Sequence, residues 1–542
     1  MTNNRDAYYD RIKAIVGDRL TDASICVHAA SFFVETIELL ASCGITRFGF
    51  EPQTSCWPAI MHQRLTKHNT LEDRWDFSPI ENPALMLAGW DESVCRAAYD
   101  RARKASVPLV MGVMLKNGVS LVSAVFPGQP FPWDGFGLQS HKEIPTRGTY
   151  FQWIDLQNQV ANFARAVLLR QTAWERTDFN ALFAEGKTTA LLSHATWPWV
   201  NRYVNPQDAQ DRQWFERLLG HSPWRVPEEY NLQGRTVLIV GLGSLGSIAA
   251  KHFEHFGARI VGIDGKEVSV YNPVRQIYST ADIGVPKAFA LARMLVGRTV
   301  EDCKMDARGR TARFFCNDGR IFVGIREEME DSRAGAARFD EILGTYAPDL
   351  VVLTTAHPAE FRMADAARKR GIPHIVGRCY ARARWFEITA VDAVNRTPCF
   401  GCLQGHLYTG APPTLTDEEL ARYEPQQASA LVQGEPATRI ETARCADIIS
   451  RAGMEFLKPS LDARSEWFSR MVAEERNCLI GGNYAEYNNG DWTYGVESPG
   501  GVALYGVINF IGSETEQEKT CLYCARTHQV LIHRRPVQLG TA

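Results

Sequence analysis

The most constraining stretch of this 542-residue chain is RTVLIVGLGSLGSIAAKHFEHFGARIVGID, which begins at Arg235. A short apolar run leads into Gly241, Gly243 and Gly246, an amphipathic segment follows, and a second apolar run ends at Asp264. This order predicts a strand, a glycine loop, a helix and a second strand, which is the arrangement of a nucleotide-binding βαβ unit. Gly241 permits a tight turn, Gly243 lets a phosphate approach the backbone, and Gly246 lets the helix sit close to the strand.

Composition narrows the class of protein. The net charge is −3 and acidic and basic residues are interspersed, so the chain has no electrostatic footprint for nucleic acid or an anionic membrane. No stretch approaches the roughly 18 apolar residues of a membrane span, and the first residues lack a secretory signal pattern, so we expect a cytoplasmic chain. The length favours two or three domains or one duplicated plan.

The segment that follows Asp264 indicates which nucleotide the loop binds. It reads DGKEVSVYNPVRQIYSTADIGVPKA and contains Asn272, Arg275, Gln276 and Lys287. This pattern resembles the ATP-binding signature of the ubiquitin-activating and sulfur-carrier-activating (ThiF-like) family, roughly D-x-D-x-V-x-x-S-N-L-x-R-Q…D-I-G-x-P-K. A dehydrogenase that transfers hydride has no need for an Arg and a Lys aimed at phosphates, whereas an adenylating enzyme stabilises a leaving pyrophosphate.

The resemblance implies the reaction and the roles of individual residues. The family transfers AMP from ATP to the C-terminal carboxylate of a small protein or peptide. Asp264 is then expected on the ribose, Asn272 and Arg275 near the phosphates, Gln276 in support, and Lys287 on the phosphates. Arg275 and Lys287 are the candidate catalytic residues of this segment.

Two positions depart from the family pattern. Lys266 stands where the family has a second acid, with Glu267 beside it. The family also places a magnesium-binding Asp after a later strand, but here the strand PDLVVL runs into TTAHP, with Ala356 where the acid is expected. Magnesium needs hard oxygen ligands, so either another acid such as Glu360 serves or adenylation is weakened or lost.

Two C-x-x-C pairs predict a structural zinc site: Cys399 and Cys402, and Cys521 and Cys524. Four thiolates close a tetrahedral site and tie distant segments together, with free buried thiols as the alternative. The family holds zinc in the same order. It also has a crossover loop in the position of residues 403–437, beneath which the substrate tail threads toward ATP; a disordered surface loop is the alternative.

The first half of the chain repeats the plan without the glycines. The stretch DASICVHAASFFVETIELLASCGITRFGFE places His28, Ala30 and Phe33 where Gly241, Gly243 and Gly246 stand, and Glu51 where Asp264 stands: the fold pattern survives and the phosphate cradle is lost. A later pair of similar segments aligns Asp91 of the first half with Ala356 of the second. We expect Asp91 to be an ordinary surface residue.

Two copies in one chain resemble the ubiquitin-activating enzymes, in which an inactive adenylation domain pairs with an active one. The resemblance implies an α/β protein with two Rossmann-like, ThiF-type adenylation domains arranged as a pseudo-dimer, with mostly parallel sheets. Residues 1–220 form the inactive copy and residues 221–542 the active one. The segment RDAYYDRIK resembles the family's N-terminal helix, whose arginine reaches across the dimer into the partner's ATP site, and the matching residue is Arg11. An exposed helix arginine is the alternative for Arg11.

The resemblance therefore implies an enzyme that uses ATP and Mg²⁺, with a structural Zn²⁺, to adenylate a ubiquitin-like or sulfur-carrier-like β-grasp protein. A thioester step and a conjugating-enzyme-like acceptor are possible extensions, and Cys445 and Cys478 are weak candidates for the thioester. One alternative is adenylation of a ribosomally made peptide in natural-product biosynthesis. The other is a scaffold that binds nucleotide or a tail without chemistry.

Overall fold

The computed structural model describes much of both predicted halves. The described residues are 22–28, 33–51, 57–68, 75–89, 92–116, 119–134, 138, 150–170, 190–194, 197–204, 209–210, 212–213, 231–297, 303–315, 321–380, 385–394, 397–402, 438–458, 464, 468–469, 472, 477–482, 508–511, 519–520 and 527–528.

The first half contains a seven-stranded sheet in the order β2-β1-β3-β4-β5-β6-β7. Strands β1 to β4 pair in parallel, and the remaining pairs are antiparallel. The strands are β1 Ser24–His28, β2 Arg47–Glu51, β3 Leu85–Gly89, β4 Leu109–Met114, β5 Val119–Val125, β6 Ala190–His194 and β7 Trp197–Val204. The helices are α1 Val34–Ser42, α2 Trp57–His68, α3 Glu92–Ala105 and α4 Tyr150–Arg170.

The second half contains a ten-stranded sheet in the order β10-β11-β12-β9-β8-β13-β14-β15-β16-β17. Its five central strands, β12, β9, β8, β13 and β14, are parallel. Its strands are β8 Thr236–Val240, β9 Arg259–Ile263, β10 Cys303–Met305, β11 Thr311–Phe315, β12 Ile321–Ile325, β13 Leu350–Leu353, β14 His374–Tyr380, β15 Trp385–Val391, β16 Cys478–Gly482 and β17 Ile508–Ile511; a separate pair is β18 Lys519–Thr520 and β19 Thr527–His528. Its helices are α5 Gly246–His255, α6 Lys287–Val296, α7 Arg333–Tyr346, α8 Ala359–Lys369 and α9 Arg439–Leu457.

The prediction of an α/β fold with two Rossmann-like sheets is confirmed. Each sheet has a block of parallel strands that antiparallel strands extend. The central strands are short runs buried on both faces, as strands covered by helices on each side require. The predicted pseudo-dimer and the domain boundary near residue 220 stay predictions. None of the described helices combines the length and the apolar character needed to cross a membrane.

Helices from both halves pack together between the two sheets. Helix α9 contacts α5 of its own half and α1 and α4 of the first half, and one buried apolar core runs through this layer. Polar contacts cross it as well: the Lys251 Nζ lies 2.9 Å from the nearer carboxylate oxygen of Glu35. The Tyr150 hydroxyl lies 2.9 Å from Nδ1 of His252.

The two halves align along their first strands with one difference from the sequence alignment. Strands β1 and β8, and strands β2 and β9, correspond when 212 positions separate them, so His28 matches Val240 and Glu51 matches Ile263. The faces agree with this register, because Val27 and Ile239 lie in the same core. The predicted pairing of His28 with Gly241 and of Glu51 with Asp264 is therefore wrong by one residue. Gly44 and Gly257, which follow the first helix after β1 and after β8, are 213 positions apart. The second half therefore has one residue more before this glycine and one residue fewer between the glycine and the next strand.

Candidate active site

The glycine loop lies at the carboxyl ends of β8, β9 and β13, where the strand order reverses around β8. This is the edge at which doubly wound sheets bind their ligands. Gly241 has a φ of +87°, and a Cβ there would lie 2.8 Å from the Thr354 carbonyl carbon. A Cβ on Gly246 would overlap the Gly241 carbonyl oxygen, whereas one on Gly243 would meet no described atom within 4 Å. Packing thus requires two of the glycines and leaves the Gly243 backbone open to approach by a ligand.

Three side chains fix the path of the loop. The Leu242 N–H donates to Oδ2 of Asp264 at 2.9 Å, and the Tyr278 hydroxyl donates to the Leu242 carbonyl at 2.7 Å. The Thr354 hydroxyl donates to the Gly241 carbonyl at 2.6 Å. Asp264 thus organises the loop in addition to the ribose role implied by the resemblance.

Sequence analysis missed Tyr278 and Thr354. Tyr278 is fully buried two positions after Gln276 in the signature, and Thr354 is the first residue after β13. The only sequence signal for each was its position, a tyrosine inside a polar signature and a hydroxyl residue at a strand end. Neither position identifies the carbonyl that the side chain binds.

Lys287 and Arg275, two of the predicted site residues, lie near each other and near Asp264, which bonds to the loop. Lys287 is the first residue of α6 and is buried, and its N–H donates to the Lys266 carbonyl at 3.0 Å. Burial lowers the pKa of Lys287, the positive charges of Arg275 and Lys266 lower it further, and the Asp264 carboxylate raises it. The charges of Asp264, Arg275 and Lys266 all act on Lys287, so the three side chains lie near it.

The turn between β9 and α6 positions the other signature residues. The side-chain oxygen of Asn272 accepts from the Ser269 N–H at 2.9 Å, and its carbonyl accepts from the N–H groups of Arg275 at 3.1 Å and Gln276 at 2.9 Å. Asn272 therefore shapes the turn that presents Arg275. The side-chain oxygen of Gln276 is buried and has no hydrogen-bond partner among the described residues, so it can accept a bond from a ligand.

The end of β13 differs from the expected magnesium site. Glu360 is the only acid in residues 350–360, all of which the structure describes, and it is fully buried. One of its oxygens accepts from the N–H groups of Thr355 at 2.8 Å and Ala356 at 2.9 Å, and the other pairs with Arg378 at 2.7 Å. Glu360 orders this loop and is not free to bind magnesium. These residues do not fit a magnesium site, so we assign no step to a protein-bound magnesium ion.

The structure describes one of the two cysteine pairs of the predicted zinc site. Cys399 and Cys402 are buried and their sulfurs lie 3.5 Å apart. Two sulfurs on one tetrahedral zinc, each about 2.3 Å from the metal, would be roughly 3.8 Å apart, so this pair fits the predicted ion. Cys521 and Cys524 lie outside the described residues, and so do Arg11, Ala30, Asp91 and the crossover segment 403–437.

The two candidate thioester cysteines are poor nucleophiles where they stand. Cys445 on α9 and Cys478 on β16 are fully buried. Burial raises the pKa of Cys445, as does the neighbouring Cys379, and burial raises the pKa of Cys478, as does the charge of Glu387. A thiol of this kind remains protonated and inert at neutral pH. Both residues act as parts of the core.

Comparisons with known proteins agree with the site. The ThiF family matches residues 215–435, which include the glycine loop and the basic signature. No curated protein matches the chain. Similar solved structures include E. coli MccB with MccA-N7isoASN, at 12% identity and a TM-score of 0.34 over 77% of this chain and 100% of that one.

Two further structures of E. coli MccB are similar to the chain. The one with succinimide has 13% identity and a TM-score of 0.31 over 69% of this chain and 94% of that one. The one without a named ligand has 12% identity and a TM-score of 0.35 over 77% and 97%. Likeness at this level supports no statement about activity. The part of the chain that carries the candidate site, residues 215–435, is the part that matches the ThiF family.

Proposed function

We propose that this chain uses ATP to adenylate the C-terminal carboxylate of a small ubiquitin-like or sulfur-carrier-like protein of the β-grasp class. The observation that carries the proposal is the loop itself, which requires glycine at two positions and leaves Gly243 approachable. Asp264 bonds to this loop, and Lys287 lies near Asp264 and Arg275, which supports the proposal. Backbone N–H groups at a helix start bind phosphate, and nearby cations stabilise the charge that phosphate transfer develops.

The reaction makes specific demands on these residues. A carboxylate oxygen of the substrate attacks the α-phosphorus of ATP, a new oxygen–phosphorus bond forms, and the bond to the β-phosphate oxygen breaks. The leaving pyrophosphate carries the displaced electron pair, so negative charge grows on the side of the β- and γ-phosphates. Lys287 and Arg275 provide the positive charge that this step needs. ThiF adenylyltransferases use ATP with magnesium, but we assign no step to that ion, because Glu360 is engaged in ordering the loop after β13.

Three further parts of the proposal rest on the family resemblance. Arg11 would reach the ATP site from the first half, the four cysteines would hold a structural zinc, and residues 403–437 would cover the substrate tail. A conjugating-enzyme-like acceptor downstream also belongs to the resemblance. We leave a thioester step out of the proposal, because Cys445 and Cys478 are buried with raised pKa values.

The test is ATP–pyrophosphate exchange by the purified full-length chain. β-Grasp proteins that end in Gly, drawn from the neighbouring genes, are compared with short ribosomal peptides encoded there. We expect exchange with a β-grasp protein, and we expect Lys287→Met to reduce it at least about 100-fold by removing a charge from the transition state. Lys369→Met is the matched control, since Lys369 is exposed on α8, and it should leave exchange unchanged.

The outcomes separate the alternatives. Exchange that only a short peptide supports would replace the substrate class and keep the chemistry. Normal tail binding without exchange by any candidate would replace the enzyme with a binding scaffold. Equal exchange by Lys287→Met and wild type would contradict the role of the basic cluster.

A further inference from the structure

A second group of chemically active side chains lies in the first half, at the edge of the sheet that corresponds to the nucleotide edge of the second. Cys26 and His28 stand two positions apart on β1, so their side chains share one face, and His28 pairs in register with Glu51 at the end of β2. The corresponding strand positions of the second half carry apolar residues of a buried core: Leu238, Val240 and Ile263. The first half has thus placed a thiol, an imidazole and a carboxylate where its counterpart has hydrocarbon.

The three groups are close enough to share one ion. One ligand atom from each of Cys26, His28 and Glu51 lies within 4.8 Å of the others. Ligands of a tetrahedral zinc ion, at about 2.0 to 2.3 Å from the metal, stand roughly 3.3 to 3.8 Å apart. Side-chain movements of roughly 1 Å would close the cluster around an ion at those bond lengths.

The surroundings favour a bound ion over chance proximity. Cys26 is 3% exposed and His28 is 8% exposed, beneath helix α3. The Nε2 atom of His28 is buried and has no hydrogen-bond partner among the described residues. Such an atom destabilises the folded state unless something binds it. A metal ion at this position would supply the missing partner.

One positive group also borders the cluster and must be accommodated. Arg101 of α3 pairs with Glu51, and its side chain is 53% exposed. Arg101 contacts both carboxylate oxygens of Glu51. Each oxygen has two lone pairs, so an oxygen that accepts from Arg101 can also face an ion. Hydrogen bonds of this kind orient metal-binding carboxylates in many sites. The thiolate of Cys26 and the carboxylate of Glu51 offset the charge of a divalent ion.

The geometry points to a divalent transition-metal site formed by Cys26, His28 and Glu51 at the carboxyl edge of the first sheet, with zinc as the ion. Sulfur, imidazole nitrogen and carboxylate oxygen are the ligands that zinc takes in proteins, and three protein ligands leave a fourth position for water. Such an ion would tie the end of β1 to the end of β2. This site is separate from the predicted cysteine quartet of the second half.

The experiment measures the metal content of the full-length chain. Wild-type protein and variants are dialysed against excess Zn²⁺ and then against metal-free buffer, and zinc per chain is determined by elemental analysis. We expect Cys26→Ser and His28→Gln each to hold one equivalent less than wild type. In Co²⁺-loaded protein, Cys26→Ser should also lose part of the thiolate-to-cobalt charge-transfer absorption. Any contribution from the quartet cancels in this difference.

Two controls keep the result interpretable. Cys95→Ser removes a fully buried thiol from the same core, and because Cys95 is not one of the three proposed ligands, it should retain the full metal content. Glu51→Gln replaces the carboxylate by an amide of similar shape and should weaken Zn²⁺ binding at least about tenfold if Glu51 is a ligand. Near-ultraviolet circular dichroism verifies that each variant is folded. Equal zinc content in wild type and folded Cys26→Ser, or an equal loss in Cys95→Ser, would overturn the site.

Discussion

The two halves share three parallel strands, in the order β2-β1-β3 in the first sheet and β9-β8-β13 in the second. The halves differ at the carboxyl ends of these strands. In the second half β8 runs into the glycine loop, and Asp264 follows β9 to hold that loop. In the first half β1 ends at His28, and fully buried Phe33 stands just before α1. The strands and helices are specified by buried apolar runs that both halves retain. The nucleotide edge is specified by a few glycines and polar groups, so one half can lose it without losing the fold.

The largest expected effect comes from the glycines. A Cβ in Gly246→Ala would overlap the Gly241 carbonyl oxygen, so we expect a loss of about 3 kcal/mol in unfolding free energy and no ATP binding.

The methyl group of Gly243→Ala meets no described atom within 4 Å, so the stability of this variant should stay within about 0.5 kcal/mol of wild type. Its ATP affinity should still fall at least roughly tenfold, because the methyl group blocks the backbone N–H groups. Urea unfolding and ATP titration measure both, and wild-type affinity in Gly243→Ala would contradict the phosphate assignment.

The second prediction asks whether the first half contributes to the site of the second. If Arg11 reaches the phosphates, Arg11→Ala should reduce ATP–pyrophosphate exchange by roughly 100-fold, since an arginine supplied from a partner stabilises phosphate transfer strongly. Arg5→Ala, in the same N-terminal segment, is the matched control and should change little. Unaltered exchange in Arg11→Ala would remove this role from the first half.

The third prediction concerns the contact between the halves. Burial, assisted by Lys251, lowers the pKa of His252 to about 3. The folded state therefore favours the neutral ring, and the stability that this group contributes is complete above about pH 6.5 and is lost as the pH falls toward 3. Between pH 7 and pH 5 the loss should reach about 2 kcal/mol.

His252→Gln isolates this contribution from that of other histidines. Its unfolding free energy should decrease by about 2 kcal/mol less than that of wild type when the pH is lowered from 7 to 5. Urea unfolding at both pH values gives the comparison. His62→Gln, an exposed histidine on α2, should follow wild type. Parallel losses in wild type and His252→Gln would show that His252 is not the acid-sensitive group.

The smallest effect is expected at Ala356, which stands where the resembling family has a magnesium-binding Asp. Ala356 has a φ of +53°, a backbone conformation that Asp and Asn adopt more readily than most residues. Ala356→Asp should therefore fold and, by offering an oxygen ligand to magnesium, raise pyrophosphate exchange roughly tenfold. Ala347→Asp, another left-handed alanine with a φ of +42°, is the control at the end of α7. Exchange unchanged by Ala356→Asp would mean that the chemistry does not need an acid here.

Sequence predicted the sheets and the loop because their signals are local. Apolar runs and glycine spacing are written in neighbouring residues, and so is the signature that contains Lys287. The Tyr278 bond to the Leu242 carbonyl and the Glu360–Arg378 pair depend on how distant segments meet, and no spacing encodes them. The one-residue shift that moves His28 onto Val240 had the same cause, since only the faces of the strands reveal the register.

We infer that the nucleotide binds at the glycine loop of the second half and not at the corresponding edge of the first half. Equilibrium titration of the full-length chain with ATP and Mg²⁺ tests it most directly, with wild type compared with Gly243→Ala. We expect one ATP per wild-type chain and strongly weakened binding in Gly243→Ala. Two ATP molecules per chain, or one that Gly243→Ala binds with wild-type affinity, would contradict it.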